Sequence, residues 1–281
     1  AIAAAGGRGL GLKGDGSIVG WGLNQYGQSD SPSPNTGFTA VAASPWHSLA
    51  LKTDGSIVGW GANYAGQIDV PPPNSGFIAI AAGAEHSLGV KSDGSIVEWG
   101  SDTLGQTNGF PSPNSGFIAV AAGQGHSLGL KSDGSIVGWG YNQSTQANVP
   151  APNTGFVALS AGWDHSLGLK ANGTIVGWGD NVFGQTTVPS PNSNFTAISG
   201  GWQHSLGLKA DGSVIAWGHN GYGQSSVPFS NVACVAIAAG DSHSFALLSA
   251  NVPALSEWGV LALGLLTLCA ATVIIKRRIT V

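Results

Sequence analysis

The chain has 281 residues, 45 of them glycine, with only 9% charged and no methionine. Through residue 250 it carries seven Lys or Arg against thirteen Asp or Glu. That acidic balance excludes a surface built to neutralise a phosphate backbone, so no nucleic-acid partner is expected.

The opening residues, AIAAAGGRGLGLK, read as the middle of a longer unit. That unit is complete at 78–100, IAIAAGAEHSLGVKSDGSIVEWG, and returns at 119–140, 159–179 and 198–218. Its tryptophan falls at Trp21, Trp60, Trp99, Trp139, Trp178 and Trp217, a period of 39 with one extra residue near Gly109. A fixed period of this length marks a repeat architecture. In the first unit Arg8 holds the place that a histidine holds elsewhere. The absence of methionine also leads to the expectation that residues precede Ala1, with room for a secretory signal.

Within the unit, Ile78–Ala82 is a β-branched and alanine run stopped by Gly83. His86–Lys91 alternates, with Leu88 and Val90 on one face and Ser87 and Gly89 on the other. Asp93-Gly94 marks a tight hairpin, because glycine supplies the positive φ that such turns need. Ser95–Trp99 follows as its partner strand. No helical spacing is sustained. The GQIDVP and GQTTVP segments predict a short, edge-like fourth strand ended by proline. About forty residues and four strands make one propeller blade. The small residues of AAG, SAG and SGG suit strands converging on an axis, and the WG tryptophans suit the space where blades diverge. Gly89, Gly129, Gly168 and Gly207 are expected to permit close backbone approach.

Residues 28–38, 67–77, 106–117, 146–156 and 185–195 are rich in Pro, Ser and Asn. They read as rigid crossings between blades, each ending on a phenylalanine with a place to pack: Phe38, Phe77, Phe117, Phe156 and Phe195. The AAGxxHS half occurs seven times and the DGxxxxWG half six times. The expectation is an all-β, seven-bladed β-propeller over residues 1–248, six full blades plus a half, with residues before Ala1 completing the last.

The tail differs in kind. Residues 249–257 form a linker. Over 258–281, the stretch Trp258 to Ile275 has 18 residues without a charge, about 27 Å as a helix against a bilayer core of ~30 Å. Lys276, Arg277 and Arg278 then predict a cytoplasmic stop. One transmembrane helix is expected, holding the propeller outside the cytoplasm. Cys234 lies in the last blade and Cys269 in this helix, so no disulfide joins them.

Two resemblances add to this reading. DGSIVGWGANYAGQ followed by IAIAAGAEHSLGV (54–90) resembles the regulator of chromosome condensation repeat, and the likeness covers residues 1–248. It implies a seven-bladed propeller. Relatives include a nuclear nucleotide-exchange factor, secreted bacterial β-lactamase inhibitory proteins and bacterial surface proteins. The tail resembles a bacterial C-terminal sorting signal, matched here by Pro253, Leu255, Ser256, Glu257, Trp258 and Gly259, with Val252 for isoleucine and Ala254 for threonine. It implies an exported, Gram-negative protein held in the inner membrane until a membrane protease or transpeptidase removes the tail. A permanent anchor is the alternative.

Six histidines share one position: His47, His86, His126, His165, His204 and His243. Successive blades separate them too far to ligate one ion, and no carboxylate or cysteine recurs beside them, so no metal or cofactor is expected. They are read as turn residues whose imidazole and adjacent serine satisfy backbone groups. Asp15, Asp54, Asp93, Asp133 and Asp211 read as hairpin turns, with Asn172 in the same role. No unique cluster of polar groups breaks the symmetry, so the chain is not expected to be an enzyme.

Two positions vary within the fixed frame. One is the pair before the histidine, which includes Trp46, Trp163 and Trp202. The other lies in WGxNxxGQ and holds Tyr26, Tyr64, Leu104, Tyr141, Phe183 and Tyr222. Variation inside a fixed frame points to loops, and Trp and Tyr dominate binding hot spots. These aromatics are the candidate surface for a protein partner. The function expected is an exported, surface-associated binding scaffold, with a purely structural envelope or matrix component as the alternative. Guanine-nucleotide exchange needs a nuclear or cytosolic chain and a basic docking surface, and the tail and the acidic ring both argue against it.

Overall fold

The structure is a computed structural model that describes residues 1–109, 112–228 and 233–249. Within these there are twenty strands and no helix, arranged as six three-stranded sheets and one two-stranded sheet, all antiparallel. The first sheet holds β1 (Ile2–Ala5), β2 (Arg8–Leu12) and β3 (Ile18–Gly22). The second and third hold β4 (Phe38–Ala43), β5 (His47–Lys52), β6 (Ile57–Gly61), β7 (Phe77–Ala82), β8 (His86–Lys91) and β9 (Ile96–Gly100). The fourth and fifth hold β10 (Phe117–Ala122), β11 (His126–Lys131), β12 (Ile136–Gly140), β13 (Phe156–Ala161), β14 (His165–Lys170) and β15 (Ile175–Gly179). The sixth holds β16 (Phe195–Gly200), β17 (His204–Lys209) and β18 (Val214–Gly218), and the last pairs β19 (Cys234–Ala239) with β20 (Ser244–Leu248).

The first strand of each sheet contacts the first strand of the next, and β19 contacts β1. Seven sheets therefore close into a ring, each a blade radiating from an axis. Backbone and side chain close the seam: Gly6 N donates to Asp241 Oδ1 at 2.9 Å, and Trp21 stacks edge-on against Phe245 at 5.4 Å. The Asp-Gly turns form as expected, with Gly55 at φ 77° and Gly94 at φ 80°. Each Asp carboxylate accepts from the serine two residues on, as Asp93 does from Ser95 N at 2.9 Å.

Middle strands do not show the alternation read from their sequence. His86 to Val90 are all buried, because a blade is covered on both faces by its neighbours. Each core joins two blades: Leu49, Leu51 and Ile57 of the second pack against Phe77 and Trp99 of the third. All five crossing phenylalanines are buried. The repeated glycines serve a ring rather than a backbone approach. A Cβ on Gly89 would lie 2.6 Å from the Phe77 ring.

The expected fourth strand is absent among the described residues. Its polar groups are bonded by side chains instead of a ladder. Gln67 O accepts from Ser87 Oγ and from Trp99 Nε1 at 2.8 and 2.9 Å. Asn74 in the crossing clamps the start of β6, accepting from Ile57 N and donating to Ile57 O, both at 2.8 Å. With the edge so satisfied, no further strand is needed. The sorting motif (Pro253, Leu255, Ser256, Glu257, Trp258, Gly259), the predicted membrane helix and Lys276, Arg277 and Arg278 lie outside the described residues.

Candidate functional site

Each first strand runs to one end of the ring, makes a short turn and returns as a middle strand, and in blades two to six the turn has three residues and the middle strand begins at the histidine. The outer strand ends at the same place, with Gly100 opposite His86 in register. One face of the ring therefore gathers both variable loop families, while the Asp-Gly hairpins lie on the other.

The histidines fix the spacing of this face. His47 Nε2 meets Ser87 Oγ of the next blade at 2.8 Å. His86, His126, His165 and His204 meet Ser127, Ser166, Ser205 and Ser244 in the same way, each at 2.9 Å. The serine hydroxyl is already donating to a glutamine carbonyl, as Ser87 does to Gln67 O. It must therefore accept from the imidazole, which sets the Nε2–H tautomer. Nε2 of the imidazole thus bonds a hydroxyl about forty residues away, in the next blade, rather than its own turn. Burial holds His47, His126 and His204 down to about 3, and His86 and His165 down to about 4. They are neutral connectors between blades.

Blade one departs from the pattern. Arg8 is fully buried and donates through Nε to Ser44 O at 3.0 Å, through Nη1 to Gln28 O at 2.8 Å and through Nη2 to His47 O at 2.6 Å. Burial lowers it to about 10. In the next blade Ser44 replaces the usual glycine, and its Oγ lies 2.9 Å from His47 Nδ1. With glycine at that place, Nδ1 of His86, His126, His165 and His204 has no partner.

The loops before the histidines encircle the mouth of the axial channel and are chained by backbone hydrogen bonds. Ala84 N donates to Gly123 O, Gln124 N to Trp163 O, Trp163 N to Gly201 O and Trp202 N to Gly240 O, at 3.1–3.2 Å. The outer loops are held from within. Gln28 Oε1 accepts from Tyr26 N at 2.8 Å, and Gln185 Oε1 from Phe183 N at 2.9 Å.

On this frame the predicted aromatics form clusters. Tyr26 lies 6.0 Å from Trp46 and 5.5 Å from Tyr64, edge-on to both. Trp163 and Trp202 lie 5.8 Å apart. Phe183 and Tyr222 flank His219 at 4.7 and 6.0 Å. Tyr141 stands apart, its hydroxyl 2.8 Å from Gln143 Oε1. Trp46, Trp202 and Tyr222 remain 37%, 42% and 63% exposed. His219 was missed because it follows WG, where the repeats share no residue type.

Two carboxylates of this face are partly buried, Asp241 at the mouth and Asp164 toward the outer loops. Burial, then Asp180, raises Asp164. Burial raises Asp241 against the opposing Gly6 N–H and His243. Glu98 is a second missed residue, standing on β9 where other blades have Gly or Ala. A Cβ on Gly138, its equivalent, would lie 2.3 Å from Ala147 O. Glu98 belongs to the blade followed by the extra residue, and its Oε1 accepts from Trp139 Nε1 at 2.7 Å while Oε2 has no partner. Among the described residues no group of three or more His, Cys, Asp or Glu is placed to hold a metal ion.

The regulator of chromosome condensation (RCC1) repeat matches residues 38–67, 77–106, 117–146, 156–185 and 195–224. No curated protein matches the chain. Among solved structures, Prp20p from Saccharomyces cerevisiae, described for its binding to Gsp1p and histones, is 19% identical with a TM-score of 0.71, over 87% of this chain and 81% of that one. The ectodomain of the Arabidopsis thaliana receptor kinase ACR4 is 22% identical with a TM-score of 0.70, over 88% and 90%. Human WBSCR16 is 19% identical with a TM-score of 0.71, over 88% and 86%. At these identities the likeness concerns the fold.

Proposed function

The chain belongs to the regulator of chromosome condensation (RCC1) repeat family, and from that premise we propose that it is a non-catalytic scaffold that binds a protein partner through the aromatic face of its propeller. The observation that carries this reading is the grouping of Trp46, Trp163, Trp202, Tyr26, Tyr64, Phe183 and Tyr222 on one face, where they remain partly or largely exposed. A position facing the blade core keeps one residue type, because every blade meets the same neighbour. These positions change from blade to blade and are filled with hot-spot residue types. Prp20p, whose described partners are Gsp1p and histones, offers a precedent for a propeller of this shape acting by protein contact.

The proposal extends to location. The apolar run Trp258 to Ile275, the motif at 252–259 and the basic end support an exported protein, held in a membrane by its tail and then displayed at the surface. Capture of a partner from the source organism's envelope tests the binding reading. The full chain and a Trp46→Ala, Trp163→Ala, Trp202→Ala variant are compared, with circular dichroism to establish that both are folded. Capture by the full chain and its loss in the folded variant is expected. Equal capture by both would move the site off this face, and no capture by either would favour the purely structural component.

A further inference from the structure

The cations and the aromatics of this ring occupy opposite faces. Lys52, Lys91, Lys131, Lys170 and Lys209 end the middle strands that begin at the histidines, which places them at the hairpin face. There their ammonium groups lie over Phe38, Phe77, Phe117, Phe156 and Phe195 at 3.9–5.7 Å from the ring centres. Lys13 follows β2 at the same face. In the loops of the aromatic face, among the described residues, the single Lys or Arg is Arg8, fully buried and committed to three carbonyls. The same loops carry Glu85, Asp102, Asp164, Asp180 and Asp241.

The chain's overall acidity hides this polarity. A face with several carboxylates and no exposed cation focuses a negative potential, which steers and selects a basic partner. At the mouth the two features meet. Asp164 follows Trp163, Trp163 N donates to Gly201 O beside Trp202, and Trp202 N donates to Gly240 O beside Asp241. Trp163, Trp202 and Asp241 line the mouth together, with Asp164 turned toward Gln146 on the outer side of the same loop. Indoles and a carboxylate around one opening suit a cationic side chain, which takes quadrupole attraction from one and charge pairing from the other.

We propose that the partner presents a lysine- or arginine-bearing segment, and that its cationic side chain is received at the mouth beside Trp163, Trp202 and Asp241, with Asp164 adding to the negative potential of the same face. This rests on the protein-binding reading and adds the chemistry of the partner to it.

The test uses the full chain and two labelled peptides, hexa-arginine and hexa-glutamine, followed by fluorescence anisotropy at about 0.15 M salt. Hexa-arginine is expected to bind and hexa-glutamine not to. An Asp164→Asn, Asp241→Asn variant keeps the oxygens that accept from Gln146 Nε2 and Gly6 N, so it retains the fold. It is expected to weaken hexa-arginine binding about tenfold, as is a Trp163→Ala, Trp202→Ala variant. An Asp93→Asn, Asp133→Asn variant on the hairpin face is expected to leave binding within about twofold. Equal treatment of the two peptides, or an equal loss in the hairpin-face variant, would overturn the proposal. If hexa-arginine shows no preference while the triple tryptophan variant still loses its envelope partner, the cationic inference falls and the protein-binding reading stands. If hexa-arginine binds at the mouth while partner capture survives the triple substitution, the reverse holds.

Discussion

Glu98 gives the sharpest test of how this ring is packed. Burial pushes its carboxyl up to about 8, opposed by the Trp139 Nε1–H and reinforced by Asp102. In the unfolded chain the same group ionises near 4.5. The folded state therefore binds this proton more tightly, so the part of the stability that Glu98 controls is full below pH 4.5 and is lost as pH rises through 8. At roughly 1.4 kcal/mol per decade the loss reaches up to about 5 kcal/mol in alkali. Glu98→Gln keeps the oxygen that accepts from Trp139 and removes the charge. The variant's advantage over the parent is expected to grow by about 2 kcal/mol between about pH 6.5 and about pH 9, once ionisation near pH 4.5 and near 8 is compared at the two pH values. Urea denaturation of both proteins at the two pH values measures it, because every other group titrates alike in the pair. A difference that stays constant with pH, or a parent that gains relative stability in alkali, would refute the packing argued for β9.

Two further outcomes follow from the inter-blade connectors. His47, His86, His126, His165 and His204 are held well below their ordinary value by burial, so the unfolded chain takes up protons below pH 6.5 that the folded ring refuses. Stability falls as pH drops, by on the order of 10 kcal/mol at about pH 4.5, comparable with the whole stability of a domain. Circular dichroism should show loss of the ring between about pH 6 and pH 4, and an intact ring at pH 4 would contradict neutral, buried imidazoles. Arg8→Ala strips donors from the Ser44, Gln28 and His47 carbonyls and is expected to cost about 3 kcal/mol or more in urea denaturation. A loss below about 1 kcal/mol would mean that water reaches those carbonyls.

Much of this was legible in the sequence because the repeat states it several times over. The Asp-Gly turns, the buried crossing phenylalanines and the strand starts near residues 78, 86 and 95 all follow from local chemistry. The serine that receives His47 Nε2 could not be read, since it lies forty residues on and only the packing of one blade on the next brings it near. The absent fourth strand was misread for a related reason. GQIDVP has the composition of an edge, but Ser87 and Trp99 take its Gln67 carbonyl from outside the segment, and Asn74 takes the Ile57 backbone of β6. Glu98 was visible as the odd residue in IVEWG. Its meaning depended on whether the neighbouring segment leaves room for a side chain, which no pattern records. The aromatics were found because they vary inside a frame that does not. Their segregation from the lysines appeared only once the middle strands had a direction.

Hydroxyl-radical footprinting of the full chain, alone and with its captured partner, tests the central claim most directly. The account predicts protection at Trp46, Trp163, Trp202 and Tyr222, with the Asp-Gly hairpins at Asp54, Asp93 and Asp133 left as reactive as in the free protein. Protection confined to those hairpins, with the four aromatics unchanged, would contradict it.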